Sequence, residues 1–419
     1  MSKVSVAKCT DVWSYESIFR ATLDVLAPLG GMKAFVKPGM SVMLKPNLVM
    51  PAKKEEGCTT HPLLIKALAV LAMEAGAGKV SICDCAGVGF SNEETFEATG
   101  MNDVGRELGI EVFPPNRRTD VLPLENHPNL REVKVGRDAM EYDVLINVPV
   151  MKTHLHTTIT LCLKNLKGCL ARSSMKALHV GGVDYGLAPL AEMIKPELNI
   201  IDGTIGSEGM GPMTGGPKEA NCLIASADAF ACDIVGCKVM GVNPRSIRHL
   251  TWGAEKYGYS LDFKDYELVG VPIEDAVCPF EMPPSRLDDR YGVHVVEKDA
   301  CTGCNAVVAT LLFRLDKLGE LDLLDDWTIV VGQRAEVPGE GEECKSKKLL
   351  VGKCMEDRKD EADLFIPGCP PQAWFVMGLL YRLNGRVEND EFARQRMEIY
   401  MTESADGDYA KYLKIKGVQ

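Results

Sequence analysis

From Lys152 to Lys176 the chain contains no aspartate or glutamate, although its formal net charge is −12. A solvated helix face ordinarily mixes both signs, so a local reversal of this kind is what an anion site requires. The surrounding stretch, residues 143–170, reads DVLINVPVMKTHLHTTITLCLKNLKGCL. It predicts a buried strand, Val144–Ile146, that breaks at Asn147 and Pro149. A polar turn follows with Lys152, Thr153, His154, His156, Thr157 and Thr158. A helix then carries Ile159, Leu163, Leu166 and Leu170 as an apolar stripe, with Thr157, Thr160, Lys164 and Lys167 opposite. Lysine ammonium groups hold a carboxylate or phosphate as point charges, and histidine exchanges protons near neutral pH. These residue types assign Lys152, His154 and His179 to proton handling, and Lys164, Asn165 and Lys167 to substrate binding. His154, His156 and His179 could also ligate a metal, but an HxH on a loop points more to hydrogen bonding.

A second chemistry lies in the cysteines. Fifteen in a chain of 419 residues is an odd number in a large protein, which does not suit a disulfide framework. Cys83, Cys162, Cys222, Cys232 and Cys237 sit in apolar runs and read as small core residues. The C-terminal set is spaced differently. Cys301 and Cys304 form a CxxC before a helix, Cys354 closes LLVGKC, and Cys369 closes LFIPGC ahead of Pro370 and Pro371. A CxxC puts two thiolates on one turn, and a glycine before each strand-end cysteine permits a tight bend. Structural zinc, unliganded core thiols and an iron–sulfur cluster all compete for this pattern. Zinc ribbons supply two CxxC knuckles where this chain has one, and a proline after the last ligand favours the cluster. The segment ADLFIPGCPPQAWFVMGLLYRL resembles the last-ligand region of the small subunits of respiratory complex I and NiFe hydrogenases. That resemblance covers this short segment alone and implies a [4Fe–4S] cluster with Cys369 as its last ligand; taken with the spacing, the expected ligands are Cys301, Cys304, Cys354 and Cys369, with Cys344 in reserve.

The remaining sequence predicts a frame for these side chains. Residues 3–8 alternate as an edge strand, and a helix follows over Ser14–Leu26. Short apolar strands at 41–44, 79–83, 110–113, 144–146, 198–201 and 222–226 alternate with helices at 63–75, 93–108, 187–194 and 229–240. Thr59 or Thr60 can cap the helix at 63–75, and 132–135 is a hairpin strand. The glycine-rich stretch 203–216 reads as a loop whose backbone can approach a ligand. This alternation means an α/β domain with a largely parallel sheet flanked by helices, which binds ligands beyond the carboxyl ends of its strands. Those ends carry Lys45 and Asn47, Asp84, Asn147 with Lys152, Asp202, and Asp228. Lys45, Asn47, Asp84 and Asp202 therefore join the substrate-binding set. Residues 251–290 form a less regular connector. Strands at 293–296, 327–331, 348–351 and 363–366, with helices at 305–318, 372–383 and 390–402, make a second, smaller α/β domain containing the cysteines. The boundaries are 1–270 and 291–419.

A sequence pI near 5.2 argues against nucleic acid or an anionic membrane as partner. No apolar run approaches the ~20 residues needed to cross a bilayer, and the N-terminus lacks a signal-peptide core. A reducing cytosol, anaerobic in character, is the expected location. A P-loop, a strand–GxGxxG–helix fingerprint and a nucleophile elbow are all missing, so ATP and NAD are not supported.

KPNLV (45–49), THP (60–62), CDCAG (83–87), INVPVMKTH (146–154), TITLCLKNLKG (158–168), IIDG (200–203) and EGMGPMTGG (208–216) together resemble the domain of unknown function 362 family over roughly residues 40–240. The resemblance implies an α/β domain joined to iron–sulfur modules and implies no activity. Those modules usually carry two cysteine-rich runs, whereas this chain has CxxC…GKC…GCPP. A fainter likeness to the lactate racemase catalytic fold is fold analogy alone. The expectation is an iron–sulfur redox enzyme acting on a small anionic substrate, supplied with electrons by a donor protein. Two other classes are an electron-transfer or maturation partner that docks an acidic protein, and a non-redox isomerase or lyase with a structural or Lewis-acid cluster.

Overall fold

The computed structural model describes residues 1–386 apart from 88–89, 213–214, 284–290, 301, 340–344, 369–370 and 372. The chain folds as two compact units, residues 1–283 and 284–419.

In the first unit the strands follow the apolar runs: β1 (Lys3–Lys8), β2 (Ser41–Lys45), β3 (Lys79–Cys83), β4 (Glu111–Phe113), β5 (Thr119–Pro123), β6 (Glu132–Gly136), β7 (Val144–Asn147), β8 (Val150–His154), β9 (Thr158–Thr160), β10 (Leu198–Glu208), β11 (Gly216–Lys218), β12 (Cys222–Ser226) and β13 (Glu267–Gly270). Its main sheet runs β13-β1-β12-β10-β7-β2-β3-β4, and β5 pairs with β6 apart from it. From β10 through β7, β2 and β3 to β4 every pairing is parallel; β12 is antiparallel to both β10 and β1. The fold is the expected α/β, with helices over both faces. One face buries Ile18, Leu64, Leu68 and Ile82, and the other buries Leu163, Leu187, Ile234 and Val235.

Several elements differ from expectation for local reasons. Residues 150–154 are a strand, where a turn was expected, and β9 returns along it with Lys152 opposite Thr160 and His154 opposite Thr158. The β-branched run Thr157–Thr160 favours this hairpin over a helix, and Thr158 turns it with φ of 63°. The helix expected over 159–170 is reduced to a turn, Cys162–Asn165, followed by 3₁₀ backbone over Leu166–Cys169. Asp233 caps that turn, accepting from Cys162 N at 2.6 Å and Leu163 N at 3.1 Å. Residues 93–108 form two helices divided at Gly100, whose φ is 75°. The cap of helix Pro62–Glu74 is His61, not a threonine: its Nδ1 accepts from Leu63 N at 3.2 Å. A helix at Arg172–Gly181 had no counterpart in the pattern. β1 is not an edge strand, because β13, from the supposed connector, pairs outside it.

The glycine-rich stretch is largely strand. β10 continues through Gly203 and Gly206. A side chain at Gly206 would sit 2.2 Å from Met151 O. Glycine serves here to bring backbones together.

The second unit is a four-stranded parallel sheet of β14 (His294–Glu297), β15 (Trp327–Val331), β16 (Lys347–Val351) and β17 (Leu364–Ile366), with helices Thr302–Leu318 and Ala373–Leu383 packed together. Tyr381 is buried in its core and donates to Glu320. The helix expected at 390–402 lies outside the described residues.

Gly206→Ala is expected to cost roughly 2 kcal/mol or more. Gly216→Ala, which meets nothing within 4 Å, should fall within about 0.5 kcal/mol of the native chain. Urea-unfolding midpoints compare the two.

Candidate functional site

Two sets of buried polar side chains occupy the carboxyl ends of β2, β3 and β7. In the first, Lys45 at the end of β2 donates to Asp84 Oδ1 at 2.7 Å, and Leu48 N donates to Asp84 Oδ2 at 2.6 Å. Both side chains are at most 3% exposed. Burial by itself would depress the Lys45 ammonium, but the Asp84 carboxylate outweighs it and the pKa is raised. A side chain at Gly168 would fall 2.3 Å from Asp84 Oδ1 and 2.6 Å from Lys45 Nζ. The glycine of LKNLKG is therefore what lets that segment close over the ion pair.

The second set is a line of amides. Lys152 donates to Asn47 Oδ1 and to Cys58 O, each at 2.6 Å. Asn47 Nδ2 donates to Asn165 Oδ1, Asn165 Nδ2 to Asn147 Oδ1, and Asn147 Nδ2 to Asn199 Oδ1, each at 2.9 Å. Asn199 Nδ2 ends the line on Ser226 O at 3.4 Å. A carboxamide both accepts and donates, so each member passes the polarity on with no buried group left unmet. Asn199 was absent from the sequence reading. An asparagine inside an apolar strand is disfavoured there unless it has a partner, and that is the signal that could have found it.

Beside these sets, β8 and β9 present the cationic groups. Lys152 and His154 lie two residues apart on one face of β8, and Lys164 reaches Thr160 Oγ1 at 3.3 Å. Lys167 is bonded to His179 Nε2, which the helix Arg172–Gly181 supplies. The rings of His154 and His156 are 5.1 Å apart, and those of His156 and His179 are 5.9 Å apart. Among the described residues no carboxylate lies within ion-pair distance of Lys152, Lys164 or Lys167.

The electrostatics follow. Burial pulls Lys152 and Lys167 down to about 8. Lys164 falls well below the lysine range through burial, then through Lys167 and Lys152. His156 is pushed down to about 3 by burial, then by Lys164 and Lys167. His154 is held well below its usual value by burial, then by Lys164, His156, His179 and Lys167. His179 is lowered by burial, then by Lys167, His156 and Lys164. The three imidazoles are thus neutral at pH 7, in a field that favours an anion.

The residues singled out from sequence divide accordingly. Lys152, His154, Lys164, Lys167 and His179 come together. Asn47 and Asn165 seat Lys152, and Lys45 and Asp84 are spent on each other. Asp202 lies inside β10, where it accepts from His61 N at 2.7 Å, Thr204 N at 3.0 Å and Thr204 Oγ1 at 2.6 Å. Asp228 is at the opposite end of the sheet, because β12 runs antiparallel, and caps helix Ala229–Val239.

In the second unit, a side chain at Gly352 would sit 2.8 Å from Cys304 Sγ and 3.6 Å from Cys354 Sγ, so the two sulfurs share one cradle. Lys353 N donates to Gly368 O at 2.8 Å, which brings the backbone preceding Cys369 alongside that of Cys354. Cys301, Cys369 and the reserve Cys344 lie outside the described residues. Among the described residues no three His, Cys, Asp or Glu side chains gather as a metal would require.

Residues 42–238 match a family described as Domain of unknown function (DUF362). The thylakoid-associated protein sll1697 of Synechocystis sp. is 36% identical over 244 residues, which are 56% of this chain and 74% of that protein. Among solved structures, the lactate racemase apoprotein from Thermoanaerobacterium thermosaccharolyticum aligns at 12% identity and a TM-score of 0.36, over 56% of this chain and 57% of its own. A protein from Thermotoga maritima aligns at 19% identity and a TM-score of 0.32, over 53% and 58%. The chain spans a little over half the length of each of these two structures. No described helix is long and apolar enough to cross a membrane.

Lys45→Met, which strands Asp84, is expected to destabilise the fold by about 3–5 kcal/mol, while Lys45→Met with Asp84→Leu should recover much of that loss. Denaturant midpoints of the single and double variants provide the check.

Proposed function

For this chain, which belongs to the DUF362 family, we propose that the first unit binds a small carboxylate or phosphate between Lys152, Lys164 and Lys167 and moves a proton on it through His154 or His179. Its support is the crowding of three lysines, none with a carboxylate within ion-pair distance among the described residues, and three neutral histidines at one buried place. An anion there offsets the burial and, after it, the repulsion that hold Lys164 low, and its own lost water is replaced by ammonium and N–H donors. Lys45, Asp84 and the amide line act one step back, by fixing β2, β7 and Lys152. We further propose that Cys301, Cys304, Cys354 and Cys369 hold a [4Fe–4S] cluster, which when bound supplies one-electron transfer. Together these make an iron–sulfur oxidoreductase for a small anion, fed by an electron-donor protein. The cytosol is the location we propose; the thylakoid association of the Synechocystis relative makes membrane fractionation the natural check.

Calorimetry with inorganic phosphate and with a simple carboxylate tests the site. Lys164→Met or Lys167→Met should weaken binding at least about tenfold, with melting temperature held. Unchanged affinity in both variants sinks the assignment. Because Lys152 and Lys167 titrate at about 8, below the unfolded lysine value, their charge is present below that pH and lost above it. Affinity should therefore fall as pH rises through 8, with proton uptake on binding. Anaerobically purified protein should contain about four iron and four sulfide per chain and give a dithionite-dependent EPR signal, and Cys354→Ala should lose both.

A further inference from the structure

Three histidines of the first unit are held in the same way at one ring nitrogen. His61 Nδ1 accepts from Leu63 N at 3.2 Å, and His127 Nδ1 from Asn129 N at 3.1 Å and Leu130 N at 3.0 Å. His154 Nδ1 accepts from His156 N at 3.1 Å. A backbone amide only donates, so each Nδ1 keeps its lone pair and each neutral ring carries its proton on Nε2. The three differ in what that N–H meets. His127 Nε2 donates to Gly182 O at 3.1 Å, and His61 Nε2 is sealed in without a partner. His154, 5% exposed, meets no group of the protein at Nε2 among the described residues, and that atom is not sealed in.

The backbone around His154 is tied down on both sides. Thr153 Oγ1 donates to Gly209 O at 2.8 Å, and Leu155 N donates to Gly211 O at 3.0 Å. A side chain at Gly211 would fall 2.2 Å from Thr153 O, so the glycines of EGMG seat this end of β8. Thr158 closes the hairpin at φ 63°, a strained place for a β-branched residue. The hairpin also sets where the ring stands. Lys152 lies opposite Thr160 and His154 opposite Thr158, so Lys152, His154 and Thr160 share one face. Lys164 reaches Thr160 Oγ1 there. A row of rings runs from His154 to His156 at 5.1 Å and on to His179 at 5.9 Å, and His179 is bonded to Lys167. His154 is thus linked to Lys164 through the hairpin face and to Lys167 through the rings.

We infer that His154 meets the bound anion as a neutral N–H donor through Nε2, locked in that tautomer by His156 N. This rests on the anion-site reading above. It assigns His154 to binding and leaves proton movement to His179, the histidine bonded to Lys167. A second proton on His154 would have to sit on Nδ1, where it would abolish the bond from His156 N and set two hydrogens against each other. The charged and titratable groups acting most on the ring, Lys164, His156, His179 and Lys167, are all basic. Among the described residues no carboxylate lies within ion-pair distance of it. An oxyanion, which accepts along several directions, suits an N–H donor beside ammonium groups.

Nitrogen-15 NMR of the full chain, labelled at its seven histidines and titrated with inorganic phosphate, reads the tautomer. The His154 signals, identified by their loss in His154→Gln, should show a bare Nδ1 and a protonated Nε2 from about pH 6 to 9. Phosphate should move the Nε2 resonance and leave Nδ1 bare. A proton on Nδ1, or titration of the ring in that range, overturns the inference. Calorimetry supplies a second readout. His154→Ala should weaken phosphate binding about tenfold. His154→Gln, whose amide nitrogen can donate from near the place of Nε2, should stay within about threefold of the native chain. Equal losses in the two variants, or no loss in His154→Ala, overturn the donor role. If the variants fail to fold by circular dichroism, neutron diffraction from crystals of the native chain decides: deuterium on His154 Nε2 supports the inference, and deuterium on Nδ1 overturns it. The two readings fail differently. Loss of phosphate binding in Lys164→Met with His154→Ala without effect sinks this inference alone. No binding of phosphate by the native chain, or no effect of either Lys164→Met or Lys167→Met, sinks both.

Discussion

The first unit depends on one buried line of hydrogen bonds, from Lys152 through Asn47, Asn165, Asn147 and Asn199 to Ser226. It joins the ends of β2 and β7 to the body of β10, and it pins the Cys162–Asn165 turn across them. Each member is buried or nearly so, and removing any one strands a donor on one side and an acceptor on the other. The line also sets the direction of Lys152, since two of its three N–H groups are committed to Asn47 and Cys58.

Around this line the protein keeps two kinds of lysine. Lys45 is neutralised by Asp84 and sealed by Gly168, so its charge goes into holding the fold. Lys152, Lys164 and Lys167 have no such partner, and burial depresses all three, with Lys167 and Lys152 repelling Lys164 besides. Local stability has been given up at the second place and kept at the first. That contrast separates a structural charge from a binding one more sharply than composition does.

Much of the architecture was legible because it follows from periodicity. Apolar strands of four or five residues, separated by amphipathic helices, can bury themselves only in a layered α/β arrangement. The elements that escaped were those in which local preference and tertiary contact disagree. The stripe Ile159, Leu163, Leu166 and Leu170 satisfies a helical template, yet the β-branched run before it pairs with β8 and only one helical turn survives. Gly203 and Gly206 look like loop residues, but in β10 they give neighbouring backbone its room. Of the candidate site, the residue types and the missing acids were readable; that Asp228 caps a helix at the opposite end of the sheet was not, because strand direction is invisible in one sequence.

The sequence by itself determined the α/β class, the acid-free cationic stretch, the family signatures and the spacing of the C-terminal cysteines, all properties of neighbours along the chain. Only the tertiary structure decided which lysine is already paired, which asparagines join into a line, and that His179 meets Lys167. Those are contacts between residues tens to more than a hundred positions apart. Their strength depends on burial and on distances of a few ångströms, which no local pattern encodes. The cationic stretch was visible as an excess of charge; the fold withdrew Lys45 from it and, among the described residues, left Lys152, Lys164 and Lys167 without a carboxylate within ion-pair distance.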